Sequence, residues 1–387
     1  MFRIGQEEKD AVAKVIDSGN LFKINDGLKE VENCEIEMKK VFGAKNALLM
    51  TSGKAALISA LIGMGIGPGD EVIVPGYTYI ATAIAVVAAG AIPIIAEVDE
   101  SLTLSPEDFE AKITPNTKAV IPVHIQGFPC DMEKICAIAK KHGVKVLEDA
   151  CQADGGMFRG KRLGTWGEAG AFSFNYFKVI SAGEGGALVT DSDLIWQRAL
   201  IYHDSSAVAF FGDQLKDVEE EVFCGTEYRA NEISAAILRE QLKRMDGILT
   251  DLRRVKKTLM DALKDDFTFI PSNDIEGDCG TTLAFRFETE EAARMFAESD
   301  GVAGRLPIDT GKHVYSNWTS IMNKRGALHP LMDPFKMEAN KNIVPDYKPD
   351  MCPKTLEHLS KTVYVALNPD MTDADINTII ENCKKAK

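Results

Sequence analysis

The sequence predicts an α/β fold: a mostly parallel sheet of seven strands in a large first domain, then a smaller α+β domain. Three observations predict it. Seven short apolar runs alternate with helix-periodic stretches through the first two-thirds of the chain. One long amphipathic helix follows. The last third then changes character, with many Gly, Pro and Asn residues between 300 and 352.

Taken in order, the strand runs are Ala47–Thr51, Glu71–Pro75, Pro93–Glu97, Thr117–His124, Lys145–Asp149, Ala169–Phe174 and Gly186–Thr190. Their near-continuous apolar character fits strands covered on both faces by helices. Ala55–Gly63, Thr82–Gly90 and Asp131–His142 are the helices between them. Ile80–Ala96 is the most apolar stretch, but Gly90 and Pro93 divide it into a helix and a strand. Asn231–Leu263 is the long helix, with Ile233, Ala236, Ile237, Leu242 and Met245 on its apolar face. It leads out of a first domain spanning 1–249 into a second spanning 250–387. There Thr282–Phe287 is a strand, and Glu290–Ser299 and Thr372–Ala386 are helices. Thr372 opens the last of these as an N-cap, with acidic residues in the first turn.

The 387 residues are 45% hydrophobic and 26% charged, which is ordinary globular composition. With 44 basic against 58 acidic side chains the net charge is −14, which argues against nucleic acid or an anionic membrane as partner. No apolar run reaches the ~18 residues of a membrane span, and residues 1–20 lack the charged-then-apolar order of a signal peptide. The eight cysteines form no CxxC pair and have no histidine cluster nearby, so they read as free thiols of a cytoplasmic protein, with no metal site.

Three patterns carry chemistry. In Val146-Leu147-Glu148-Asp149-Ala150-Cys151-Gln152 a strand ends in a carboxylate. A buried carboxylate needs a partner, and a pyridine nitrogen supplies one, since an ionised Asp149 keeps that ring protonated and electron-withdrawing. Gln152 is within reach of the same ring's phenolic oxygen. After the strand ending near Ser173, Lys178 sits among aromatic and apolar neighbours and precedes the turn Gly183-Glu184-Gly185-Gly186. Such surroundings suit an amine nucleophile that forms an imine. Finally, Thr51-Ser52-Gly53-Lys54-Ala55 turns from a strand into a helix, whose first N–H groups suit a phosphate. Each pattern alone also fits a plain structural role: a helix-capping Asp, a solvated loop lysine, an ordinary strand-to-helix turn. Together they supply the phosphate cradle, ring acid and amine that one cofactor, pyridoxal phosphate, needs. Cys151 reads as a small packing residue, and His124 as a core histidine or a lining residue.

The ordered set resembles the DegT/DnrJ/EryC1/StrS sugar aminotransferases, enzymes of the fold-type I pyridoxal-phosphate class. The likeness runs from about residue 5 to the end of the chain. It is carried by T-S-G-x-A-A-L at 51–57, G-D-E-V-I-V-P at 69–75, T-Y at 78–79, E-D-A-C-Q-A at 148–153, F-S-F at 172–174, K-x-x-x-x-G-E-G-G at 178–186 and Y-R-x-x-E at 228–232. The resemblance implies that Lys178 anchors the cofactor and moves the proton. It implies that Asp149 meets the ring nitrogen, Gln152 the phenolic oxygen and Tyr79 the ring face. Ser173 and the backbone of Gly53, Lys54 and Ala55 hold the phosphate. It further implies a homodimer with shared active sites and Arg229 at the interface.

The implied reaction takes an amino group from glutamate or glutamine to a keto-sugar, either nucleotide-linked or an octulosonate-type sugar acid. The E-D-A-C-Q run and the Trp318 region are similar to the branch that aminates an eight-carbon keto-octulosonate for lipopolysaccharide. A lyase, dehydratase or oxidative enzyme on the same scaffold is the alternative. A dehydratase relative has histidine where this chain has Lys178. Around the substrate the candidates are His203, Asp204, Phe210, Phe211, Arg229, Lys312, His313, Tyr315, Asn317 and Trp318. Two positions depart from the family: Lys54 stands in place of Thr, and Glu227 in place of Asn, both at the phosphate. A glutamate repels a phosphate dianion unless a cation offsets it, so Lys54 and Glu227 are expected to pair across the dimer.

Overall fold

The computed structural model describes residues 2–23, 27–205 and 218–387. Two helices, α1 (Gln6–Ser18) and α2 (Glu30–Phe42), precede the first strand. The large sheet is then built from β1 (Asn46–Met50), β2 (Glu71–Pro75), β3 (Ile92–Ala96), β4 (Thr117–Val120) and β5 (Lys145–Asp149), followed by β8 (Ala169–Ser173) and β9 (Gly186–Thr190). A short hairpin, β6 (Met157–Phe158) and β7 (Lys161–Arg162), lies between β5 and β8. Helices α3 (Gly53–Gly63), α4 (Ala81–Ala88), α5 (Pro106–Ala111), α6 (Met132–His142) and α7 (Asp193–His203) alternate with the strands. The order across the sheet is β1-β9-β8-β5-β4-β2-β3. β9 runs antiparallel to both neighbours, and every other pairing in the sheet is parallel.

Alternation along the strands sets the two layers. In β2, Ile73 joins the apolar cluster with α2, α6 and the long helix α8 (Glu232–Leu263), while Val72 and Val74 join the cluster with α3 and α4 on the other face. In β1, Ala47 and Leu49 face the first cluster, and Leu48 and Met50 the second. A one-residue slip would exchange the two faces, so the register is strongly fixed.

Beyond α8 a three-stranded antiparallel sheet forms from β10 (Thr268–Phe269), β11 (Thr282–Arg286) and β12 (Thr362–Ala366). Helices α9 (Glu290–Glu298), α10 (Thr319–Met322), α11 (Pro353–Ser360) and α12 (Asp373–Lys385) accompany it. Thr372 caps α12, accepting from Asp375 N, while the Asp375 carboxylate accepts from Thr372 N. Asn231 caps α8 in the same way through Ser234 N. The expected division at 249/250 falls inside α8, which is one unbroken helix.

Two expectations need correction. The strand starting at Thr117 is regular only to Val120: Pro122 has no N–H to donate, so pairing with β5 resumes as an isolated bridge at Val123 and Asp149 before the chain bends through Gln126 at φ 53°. Helices α1, α2, α5, α7 and α11 and strand β12 were not anticipated. In α2 the signal was present: Val31, Cys34, Met38 and Phe42 recur at helical spacing and are all buried. Among the described residues no helix is long and apolar enough to cross a membrane, no group of side chains is placed to hold a metal ion, and the eight cysteines are unpaired.

Two buried acids near the end of β5 contrast sharply. Glu148 is fully buried and satisfied: it accepts from Gly164 N, Trp166 N and Gly167 N, and it meets His124 Nε2 at 3.1 Å. The His124 Nδ1 accepts from Cys130 N, so the ring carries its proton on Nε2 and donates it to Glu148. Asp154 is also fully buried, but neither carboxylate oxygen has a hydrogen-bond partner. Burial pushes its pKa well above the usual carboxylate range, against the pull of Lys178.

Replacing Glu148 by Ala strands three N–H groups and a histidine, and should cost about 3–5 kcal/mol in denaturant unfolding. For Asp154 the folded pKa exceeds the unfolded one, so the folded state holds an extra proton and stability falls as pH rises. Asp154→Asn removes that slope. Its stability advantage over the wild type should widen from pH 5 to pH 8, by about 1.4 kcal/mol for each pH unit over which the wild type keeps the extra proton, measured by thermal unfolding.

Candidate active site

The site forms where the strands end. Asp149 is the last residue of β5 and Ser173 the last of β8; Thr51–Gly53 follow β1, and Gly76–Ile80 follow β2. This is where an open α/β sheet places its ligand crevice. Because β9 is antiparallel, it starts at the same edge. The loop from Phe174 to Gly185 therefore leaves the crevice and returns to it, carrying Lys178.

That loop is closed by its own backbone. Phe174 N donates to Gly185 O, Tyr176 N to Gly183 O, Ala182 N to Phe174 O and Lys178 N to Asn175 O. Val179 and Ile180 are buried and anchor it. Lys178 is partly buried, and among the described residues its amine makes no hydrogen bond or ion pair. Its charge is felt at Cys151, Asp154 and His313.

Asp149 is 5% exposed. Its Oδ2 accepts from Thr82 Oγ1 at 2.8 Å, and its Oδ1 accepts from Cys151 N at 3.1 Å. Two of about four acceptor positions are filled, so the carboxylate is oriented yet can still accept. The Gln152 side-chain oxygen accepts from Gln126 N at 3.1 Å, which fixes its amide beside Asp149.

At the opposite side, Ser52 caps α3 by accepting from Ala55 N at 3.1 Å. The first N–H groups of this eleven-residue helix point into the crevice end. Gly53 must be glycine: a Cβ there would lie 2.6 Å from Cys151 Sγ and 2.9 Å from Ser173 Cβ. Gly186 must be glycine too, since a Cβ would meet the Ser52 carbonyl carbon at 2.2 Å. The cradle of Ser52, Gly53 and Ser173 thus fits a phosphate, Asp149 fits a ring nitrogen, and Lys178 fits an aldehyde. The residues present match pyridoxal phosphate on all three counts.

The structure brings most expected residues together. Tyr79 is at the rim, 44% exposed, its ring 5.4 Å from that of His313. The contact comes from backbone pairing between 76–80 and 312–315: Thr78 N donates to His313 O, Ile80 N to Lys312 O, and Tyr315 N to Gly76 O. Burial lowers the His313 pKa, with Lys178 and Arg305 adding to the effect, so the ring is neutral at pH 7.

Other expected residues are committed elsewhere. Tyr315 is fully buried; its hydroxyl donates to Pro349 O and accepts from Cys352 N, so it braces the fold. Trp318 is buried as well and donates to Lys312 O. His203 is 1% exposed, with Nδ1 2.7 Å from Leu200 O and the charges of Lys23 and Arg229 acting on it. Arg229 pairs with Asp204 and with Glu227 (2.7 Å), and lies over the Phe22 ring. The 227–229 segment runs along β1, with Thr51 N donating to Tyr228 O. Within the chain the Glu227 carboxylate is therefore engaged by Arg229, while Lys54 is exposed. Phe210 and Phe211 lie outside the described residues.

Sequence reasoning missed Thr82, Asp154 and Arg305. Asp154 had a signal, a second acid five residues after Asp149 in the same run. Thr82 and Arg305 had none, because only tertiary pairing brings them to the crevice.

Comparison with known proteins agrees with this geometry. Residues 3–295 match the DegT/DnrJ/EryC1/StrS aminotransferase family. The chain is 31% identical to the spore coat polysaccharide biosynthesis protein SpsC of Bacillus subtilis, over 98% of this chain and 94% of that one. It is 34% identical to the L-glutamine:2-deoxy-scyllo-inosose aminotransferase of Streptomyces kanamyceticus, over 84% of this chain and 77% of the other. Among solved structures, the aminotransferase from Psychrobacter cryohalolentis superposes with a TM-score of 0.79 at 26% identity, covering 99% of this chain and 97% of that one. The chain belongs to the DegT/DnrJ/EryC1/StrS aminotransferase family and is a pyridoxal-phosphate-dependent transaminase.

Proposed function

We propose that this enzyme transfers an amino group from glutamate or glutamine to a keto-sugar, either nucleotide-linked or a sugar acid of the octulosonate type. The observation that carries the reading is the Lys178 amine, without a partner among the described residues, on a loop that leaves and re-enters the strand ends carrying Asp149 and the Gly53–Ser173 cradle. The relatives support the substrate class: one is named for a glutamine-dependent transfer to a cyclic ketone, another for polysaccharide biosynthesis.

When bound, pyridoxal phosphate supplies an aldehyde that condenses with amines and a ring that draws electrons from the adjoining carbon. Lys178 Nζ would anchor it. Asp149, held by Thr82, would keep a proton on the ring nitrogen, and Gln152 would meet the phenolic oxygen. Ser173 Oγ and the first N–H groups of α3 would bind the phosphate, and Tyr79 would cover the ring. Once a substrate amine has displaced it, Lys178 Nζ is free to take a proton from the substrate carbon and return it on the cofactor side. Buried Val179 and Ile180 hold the lysine backbone while that amine moves.

The rim supports a homodimer. Leu21, Phe22, Tyr176 and Phe177 are exposed apolar side chains around the Lys178 loop and the amino-terminal segment, a surface that a second copy would cover. In that assembly Lys54 would meet Glu227 of the other subunit, and Arg229 would be shared between its own acids and the interface. A cytoplasmic location is part of the same reading.

Purified enzyme should be yellow, and borohydride should fix the cofactor on Lys178. Lys178→Ala should bind cofactor without that link and lose at least ~10³-fold in turnover. Nitrogen from labelled glutamate or glutamine should appear in the sugar product; ammonia release without transfer would point instead to a lyase or dehydratase. Gly53→Ala should weaken cofactor binding about 10–100-fold in a fluorescence titration, since the added methyl collides with Cys151 Sγ and Ser173 Cβ and pushes the phosphate turn out of place.

A further inference from the structure

We propose that Arg305 is the anion anchor of this site and binds a substrate carboxylate, a role that rests on the transaminase reading above. After α9 the chain turns through Gly301 (φ 77°) and Ala303 (φ 52°). A non-glycine residue in that conformation is strained, and such strain is kept where a side chain must be presented in one direction. Arg305 then pairs with Tyr364 of β12 through two backbone bonds, Arg305 N to Tyr364 O at 3.0 Å and Tyr364 N to Arg305 O at 2.9 Å.

This pairing sets Arg305 beside Tyr364, which packs in one apolar cluster with Tyr77 and Val314. Tyr364 and Tyr77 are both almost fully buried, and neither hydroxyl has a hydrogen-bond partner with good geometry. Tyr77 pairs with Val314, and its ring is 6.4 Å from that of His313. The Arg305 charge lowers the proton affinity of Tyr77, Tyr364 and His313, and the Lys178 charge also acts on His313. Arg305 is thus joined through Tyr364 to the Tyr77–His313 side of the site, where its charge and that of Lys178 are both felt at His313.

The guanidinium is free for a ligand. Among the described residues it makes no side-chain hydrogen bond or ion pair, whereas every other arginine except Arg325 holds a carboxylate or a carbonyl. Asp309, the nearest acid on its own loop, is taken by Arg294 at 2.9 Å. In a chain of net charge −14, an exposed guanidinium with no partner among the described residues offsets repulsion of anionic substrates. A guanidinium fork matches a carboxylate bidentately. Both substrates can supply one: the amino donor beside its reacting carbon, and a sugar acid beside its ketone.

The two half-reactions separate these sources. With wild-type holoenzyme, loss of the yellow colour on adding L-glutamate or L-glutamine reports the donor half. Arg305→Gln should raise the donor concentration for half-maximal rate about 100-fold, with a smaller change in the saturated rate. Arg305→Lys should recover part of it, and reaction with ethylamine, which has no carboxylate, should be unchanged. If instead the donor half is normal and a keto-sugar acid reacts poorly while its methyl ester does not, the carboxylate is the acceptor's. If both halves are unchanged in Arg305→Gln, the proposal is wrong although the transaminase reading stands. Calorimetric binding to the holoenzyme reads the same question independently of turnover: weakened binding of 2-oxoglutarate or of the keto-sugar acid in Arg305→Gln supports the anchor, and equal binding of both overturns it even if no donor reacts. Arg305 is exposed and makes no side-chain bond, so thermal unfolding should be unchanged.

Discussion

Everything in the crevice is referenced to one carboxylate, Asp149, fixed at the end of β5. The Thr82 hydroxyl from α4 and the Cys151 N–H hold its two oxygens. Val123 and His124 run alongside it, and His124 N donates to Asp149 O. One residue earlier, Glu148 points to the other face and gathers three loop N–H groups and His124. Adjacent acids thus do opposite work on opposite faces of one strand, as the two-residue period of a β-strand requires. One keeps free acceptor positions at the crevice; the other ties loop backbone to the sheet.

The remaining parts differ in how rigidly they are held. Gly53 and Gly186 leave no room for a methyl group, so the phosphate end is a close-packed mould. The lysine end is a self-bonded loop with a free amine. Such a division suits a cofactor that must stay bound while its covalent partner changes. The outer wall, with Tyr79, His313 and Arg305, depends on strand-like pairing between segments from the two ends of the chain.

Much of this was legible in the residues, and the reason is local. Lys178, Asp149, Gln152 and Gly53 each sit within a few residues of a strand end, so periodicity and turn chemistry place them at one edge of the sheet. The long helix and its Asn231 cap were legible for the same reason. His203 and Tyr315 misled, because a histidine or tyrosine in a loop-rich stretch looks like a ligand contact until burial and hydrogen bonds show it to be a strut. Tyr79 and His313 were each named, but their contact depends on residues 78 and 313 pairing, which no local pattern reveals. Arg305 was invisible for that reason too. The end of β4 was placed late because its apolar run continues past Pro122, which interrupts the regular ladder and leaves only an isolated bridge at Val123.

The reversed direction of β9 also matters to how the molecule is made. β9 is the inner neighbour of β1, and their register joins Asn46 to Thr190. Closing so long a stretch of chain is slow relative to local helix formation. On the ribosome, β1 and its phosphate turn emerge long before the strand that secures them. The vitamin-derived cofactor therefore has no complete pocket to enter until residues near 190 have been synthesised, and its capture becomes a late event in biosynthesis.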